Sequence, residues 1–269
     1  MLKIFYGFLF LLAYLIFSPY AQSASKFAIY FYNPETNINN FVSLKIEFDT
    51  YLSEFGSYQL QPFSDRSTFE KFISEKTDGI FILSSWHYKN LKDKMQVNPQ
   101  LVGVSKGTST HKKVLTGKIS AANSEPPSME KGGNIASAST EDYTTNILKE
   151  MLHKDVFEQC KILTVPKDID ALMSVGFGMA TFALTTEYSL TKLSTVNPKL
   201  FKMLKPIALS ENKLMPIVAS PRDINEDIKK LIDIVQKMAT TQEGEKLLQM
   251  LGLDTWKPLN EQENKYLNQ

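Results

Sequence analysis

Gly132-Gly133-Asn134-Ile135-Ala136-Ser137-Ala138-Ser139-Thr140-Glu141-Asp142-Tyr143 reads as a short buried strand delivered into the first turn of a helix. Two glycines open the strand, Ile135 and Ala136 are apolar and small, and Ser139 or Thr140 stands where an N-cap belongs before the run Tyr143 to Leu152. The first amides of a helix have no internal partner and carry the positive end of its dipole, so such a turn suits an oxyanion or another polar group. An ordinary capped helix that binds nothing fits the same letters. The rest of the chain decides between them.

Strands and helices alternate on both sides of this stretch. Upstream, Lys26 to Asn33 alternates with Phe27, Ile29 and Phe31 on one side and Tyr30 and Tyr32 on the other, and Asn39 to Phe55 has helical spacing closed by Gly56. Tyr58 to Phe63 reads as a strand, Ser67 to Lys76 as a helix, and Gly79 to Leu83 as a strand covered on both faces. Ser84-Ser85-Trp86 stands at the end of that strand and opens a helix to about Met95; Leu101 to Val104 is the next strand. Downstream come the strand Lys161 to Val165, the helix Pro166 to Val175, the strand Gly178 to Leu184, and Thr185-Thr186-Glu187 opening the helix Tyr188 to Val196. Leu204 to Leu209 and Leu214 to Ala219 read as two more strands, Asn225 to Ala239 as an amphipathic helix, and Glu243 to Leu251 as the last helix.

This pattern predicts an α/β fold of two lobes, each a mostly parallel sheet flanked by helices, with ligands gathering beyond the carboxyl ends of the strands. Lobe 1 is expected over 24–107 and 208–259 and lobe 2 over 108–207. The hinge crossings are expected near Ser105 to Thr110 and Leu204 to Leu209, and residues 260–269 are a polar tail expected to be loose.

Composition narrows the function. The 269 residues carry a formal charge of +1, and Arg66 and Arg222 are the only arginines, so there is no basic field for nucleic acid and no polybasic signal for a membrane surface. Lys3, the apolar run Ile4 to Phe17, and Ala21-Gln22-Ser23 with its small residues have the form of a cleavable export signal over 1–23, which places the mature chain in the periplasm. Cys160 is the single cysteine, so no intramolecular disulfide holds the fold; it reads as a half-buried small hydrophobe. The sequence lacks a Walker loop, a G-x-S-x-G elbow, an H-E-x-x-H pair and a complete dinucleotide loop. His87, His111 and His153 lie far apart, without ligand spacing; His111 and His153 read as solvated or structural, while His87, beside Trp86 at a strand end, could touch a ligand. No catalytic group, cofactor or metal is expected.

The order of elements resembles the type II periplasmic solute-binding proteins, in the phosphate/phosphonate branch that serves ABC transporters. The resembling residues are Lys113-Val114-Leu115, Gly133 to Thr140 leading into Tyr143, Asp170-Ala171-Leu172-Met173, Pro216-Ile217-Val218-Ala219-Ser220, the helix from Asn225, and Glu243-Gly244-Glu245-Lys246-Leu247-Leu248. The resemblance implies a monomeric binder that closes on a small-molecule ligand and presents it to a membrane permease. It also implies that hydroxyls and amides at the strand-to-helix turn grip an anion. Here Ser137, Ser139, Thr140 and Tyr143 match in kind, but Glu141 and Asp142 replace a small pair and would repel an anion wherever they face the cleft. The strand Met179 to Ala183 also lacks the acidic residue that the resemblance would place there, so the pocket is expected to be less polar. Asn33, Ser84, Ser85 and Trp86 from lobe 1, and Ser139, Thr140, Tyr143 and Thr185 from lobe 2, are the candidate ligand contacts. A sensor module docking on a membrane receptor, a binder of a less polar ligand, and an exported enzyme on the same fold are the alternatives.

Overall fold

The computed structural model describes residues 27–35, 41–74, 78–119, 125–152 and 156–268. The expected leader and His153 lie outside the described residues. From the amino end the chain forms β1 (Phe27–Tyr32), α1 (Phe41–Ser53), β2 (Tyr58–Pro62), α2 (Arg66–Ile73), β3 (Gly79–Leu83), α3 (Ser85–Met95) and β4 (Val97–Val104). It continues through β5 (Thr110–His111), β6 (Lys113–Lys118), β7 (Gly133–Ser137), α4 (Glu141–Met151), β8 (Cys160–Thr164), α5 (Asp168–Gly176), β9 (Phe182–Thr186), α6 (Glu187–Val196), α7 (Pro198–Met203) and β10 (Leu204–Leu209). β11 (Lys213–Leu214), β12 (Ile217–Pro221), α8 (Glu226–Gln236), α9 (Gln242–Met250), β13 (Thr255–Pro258) and α10 (Glu261–Asn268) complete it.

Side-chain alternation explains the layering. On β1, Ile29 and Phe31 join one core with Phe48 of α1 and Leu231 of α8, whereas Ala28, Tyr30 and Tyr32 join another with Phe69 of α2 and Tyr88 of α3. Both faces of the sheet are thus covered by helices. The six-stranded sheet runs β13-β4-β12-β3-β1-β2, with β1 parallel to β2 and β3, and β12 antiparallel to β3 and β4. The five-stranded sheet runs β10-β6-β9-β7-β8, with β7 parallel to β8 and β9 and β6 antiparallel to β9. Its two faces are covered in the same way: Ala136 and Ala183 meet Leu172 and Val175 of α5, while Ile135 and Phe182 meet Tyr143 and Ile147 of α4. The entry to β7 turns through Gly132 and Gly133 at φ 70° and 140°, conformations that L side chains rarely adopt.

Three expectations are corrected. Leu204–Leu209 is not a crossing but the edge strand of the second sheet, antiparallel to β6. The chain passes between the sheets where β5 and β11 pair side by side, His111 against Lys213 and Thr110 against Leu214. The strand expected over Leu214 to Ala219 is broken before Ile217 because Pro216 cannot donate to a ladder. The tail expected to be loose is the helix α10, whose Leu267 is fully buried. Its start is tied by a reciprocal pair of bonds, Asn260 N to Glu263 Oε2 at 2.8 Å and Glu263 N to Asn260 Oδ1 at 2.8 Å, which is a capping box.

Candidate functional site

Parallel strands end together, so β1 and β3 deliver Asn33 and Ser84 to one end of the first sheet, and β7 and β9 deliver Ser137 and Thr186 to one end of the second. These ends meet. Asn33 starts a tight turn in which its side-chain oxygen accepts from Glu35 N at 3.0 Å, and the turn reaches across to the start of α4. Thr140 N donates to Pro34 O at 2.8 Å, and Ser139 Oγ donates to Glu35 O at 2.9 Å. Ser139 N is held by Ser137 Oγ at 3.2 Å. The amides at Ser139 and Thr140, predicted to stand open toward an anion, are therefore occupied by the chain itself. Thr140 is the N-cap residue, yet its hydroxyl bonds Asp142 Oδ1 rather than a helix amide.

The Glu35 side chain is buried behind this turn, with 6% of the residue exposed. Its Oε2 lies 2.9 Å from His111 Nε2 on β5. Lys113, at the start of β6 and only 2% exposed, sets its ammonium 3.4 Å from Ser139 Oγ and 5.7 Å from the centre of the Tyr143 ring. Burial alone would raise the Glu35 pKa, but His111, Lys113 and the Tyr143 hydroxyl outweigh it and hold the carboxyl below its ordinary value. Tyr143 is driven the opposite way, well above the ordinary phenol range, by burial and by the facing Glu35 charge. The cluster is charge-matched but imperfectly bonded. Glu35 Oε1, both His111 ring nitrogens, the Tyr143 hydroxyl and Thr185 Oγ1 are buried without a well-directed hydrogen bond among the described residues, and buried polar atoms are normally paired.

Trp86 closes the outer side of the seam. Its ring meets Tyr143 edge-on, centroids 5.5 Å apart at 87°, and the Arg66 guanidinium covers it at 5.0 Å. Arg66 also bonds Glu70 Oε1 through Nε at 2.6 Å and Asp142 Oδ2 through Nη1 at 3.3 Å. Asp142, exposed, further accepts from Tyr143 N at 2.8 Å. Burial would raise its pKa, but these bonds hold it below the usual carboxylate value. Asp142 is thus engaged by Arg66 and by its own helix terminus, and Glu141 is exposed. Buried His87 donates to Glu70 Oε1 through Nε2 at 2.9 Å, and burial pushes its pKa down to about 4.

Of the sequence-predicted residues, Asn33, Trp86, Ser139, Thr140 and Tyr143 converge on the seam. Ser84 accepts from His87 N at 3.1 Å as the cap of α3, and Ser85 Oγ donates to Leu214 O of the crossing at 3.1 Å, so both have structural partners. Thr185 stands at the carboxyl end of β9 with its hydroxyl unpaired. Glu35, His111 and Lys113 were missed. The signal for Lys113 was present, since a lysine opening the strand Lys113-Val114-Leu115 is buried there and a buried ammonium requires a counter-charge. Behind the crossing, a pocket of about 310 Å³ is lined by Ser109, Thr110, Leu214, Asn260, Glu263 and Tyr266. No group of three or more His, Cys, Asp or Glu suited to a metal occurs among the described residues, and no described helix is long and apolar enough to cross a membrane.

The fold is shared with solved structures. XAC2383 from Xanthomonas citri, bound to chloride, superposes with a TM-score of 0.65 at 10% identity over 90% of this chain and 95% of its own. A binding-protein component of an ABC phosphonate transporter from Pseudomonas aeruginosa matches at 0.61 and 13% identity, covering 90% and 86% of the two chains. PhnD1 from Prochlorococcus marinus, in complex with methylphosphonate, matches at 0.61 and 10% identity, covering 90% and 96%. No curated protein matches the sequence. The model of the family described as "ABC transporter, phosphonate, periplasmic substrate-binding protein" matches residues 49–264, most of the chain, and so the chain belongs to that family of periplasmic substrate-binding proteins.

Proposed function

We propose that this chain captures a small polar solute at the seam between its two lobes and hands it to the membrane permease of an ABC transporter. The observation that carries this reading is the buried cluster of Glu35, His111, Lys113, Ser139 and Tyr143, where polar atoms of both lobes face one another and several lack a well-directed hydrogen bond among the described residues. A solute with donors and acceptors satisfies such atoms, whereas a purely structural seam would be apolar or fully bonded. Trp86, Thr140 and Thr185 flank the same place and are the further candidate contacts, with Asn33 shaping the turn. The paired segments β5 and β11 serve as the hinge, because the chain crosses between the sheets there. The exported protein acts as a monomer. PhnD1 with methylphosphonate and XAC2383 with chloride or ATP are solved examples of related folds holding anions. Mass spectrometry of the solute released on denaturing the purified protein tests the reading. A stoichiometric small molecule is expected. Purified protein that releases none and closes on no solute in a screen overturns it.

A further inference from the structure

Several donors that could receive an oxyanion at the start of α4 are taken by one turn of the first lobe. Thr140 N meets Pro34 O, Ser139 Oγ meets Glu35 O, and His111 Nε2 and Tyr143 face the Glu35 carboxylate. Lys113, buried and near Ser139, acts on the same carboxylate. A second anion entering this place would meet a negative group already held by Lys113, and the site has no further buried lysine or arginine among the described residues within that cluster. Binding an anion therefore requires the Glu35 carboxylate to leave His111 and Lys113, which exposes a charge that is now enclosed.

We propose that Glu35 is an internal counter-ion seated where a solute's anionic group would sit, and that it sets the specificity of the cleft by excluding phosphate and phosphonate. The proposal rests on the reading of the seam as the solute site. Asp142 has no part in this exclusion, being engaged by Arg66 and Tyr143 N on the outer side. The same seating accounts for the lobes lying together across the turn: the first lobe carries its own ligand for the second. A solute that leaves Glu35 in place, by bringing donors rather than an anion, is the class that fits.

Titration calorimetry with inorganic phosphate and with methylphosphonate, on the mature chain and its variants near neutral pH, decides the matter. Glu35→Gln keeps the volume and most of the bonding of the side chain, and Glu35→Ala removes it; thermal unfolding verifies that each folds. Both are expected to bind at least one probe tenfold or more tightly than the unaltered protein, and adding Lys113→Met to Glu35→Gln is expected to abolish the gain. Unaltered protein that binds either probe as tightly as the variants overturns the proposal, as does a folded Glu35→Gln protein that gains no affinity for either. Such a failure leaves the solute-binding reading standing if released solute is found in the unaltered protein, so the two are separable.

Discussion

A buried lysine carries a large desolvation cost unless a counter-charge is buried with it, and at Lys113 that counter-charge is Glu35, from the other lobe. Removing one member of such a pair strands the other. Glu35→Ala is expected to cost about 3 kcal/mol and to lower the melting temperature by roughly 6–12 °C for a chain of this size. Lys113→Met combined with it should restore most of that loss, because no charge is then left alone. Losses in a double-mutant cycle that simply add would show the two side chains to be independent. His87 supplies a second residue-scale test, through pH. Its folded pKa, about 4, lies below the ordinary 6.5, so protons bind more readily to the unfolded chain. Stability is therefore complete above the unfolded value and falls as the pH drops through 6.5 toward 4, by about 2 kcal/mol at pH 5 relative to pH 8. Glu35, Glu70, Asp142 and Glu263 shift downward and lose their contributions as the pH falls from their ordinary values of 4.5 and 3.8, so the fall between pH 8 and pH 5 belongs to His87. Urea unfolding across that window should show the slope, and His87→Gln should flatten it; a variant with the same slope would place the titration elsewhere.

Elements differ in how plainly the letters announce them. β1 and β3 are legible because their apolar runs alternate onto two covered faces, and α8 because Ile228, Leu231 and Val235 recur along one side after the cap Asn225, whose side chain accepts from Ile228 N at 2.8 Å. The last helix was not legible from hydrophobicity, since Glu261 to Asn268 is polar apart from Tyr266 and Leu267. Its start signal was there in Asn260 and Glu263, spaced as a capping box requires. One buried leucine and one buried carboxylate then fix it: Leu267 enters the core beneath α3, and Glu263 accepts from Lys257 and Ser109. Leu267→Ala is expected to cost about 2–4 kcal/mol, as for other fully buried leucines. A loss under about 0.5 kcal/mol in chemical denaturation would return this segment to the class of dispensable tails. The start of α4 teaches the complementary lesson. Its strand, turn and helix follow from Gly133 to Tyr143, but which partners its amides take depends on a turn more than a hundred positions earlier, and no local pattern encodes that.

At the scale of the whole molecule, the alternation of strands and helices was enough to give two sheets of parallel core with a return crossing, while the exact place of the crossing was not. Leu204 to Leu209 reads as a short, mostly apolar strand, and only its pairing with β6 shows which sheet it joins. Between the sheets the chain has a thin connection, β5 beside β11, and a broad polar seam made of Thr140 to Pro34, Ser139 to Glu35, Arg66 to Asp142 and Trp86 against Tyr143. A thin connection bends easily, so the seam decides the angle between lobes. Each tie is worth little alone, since a hydrogen bond contributes about 1 kcal/mol net and a partly exposed ion pair less than that. Together they bias an equilibrium that a change of a few kcal/mol can reverse. The unaltered protein without added solute is therefore expected to scatter as a closed particle, with a radius of gyration near the ~18 Å of a compact chain of about 240 residues. Glu35→Ala combined with Arg66→Ala removes the carboxylate facing His111 and Lys113 and the pair of Arg66 with Asp142, and should widen the particle, and a solute recovered from the unaltered protein should narrow it again. Identical scattering from the two proteins, both folded, would mean that the lobes are fixed by the crossing alone and that the seam does not act as a latch.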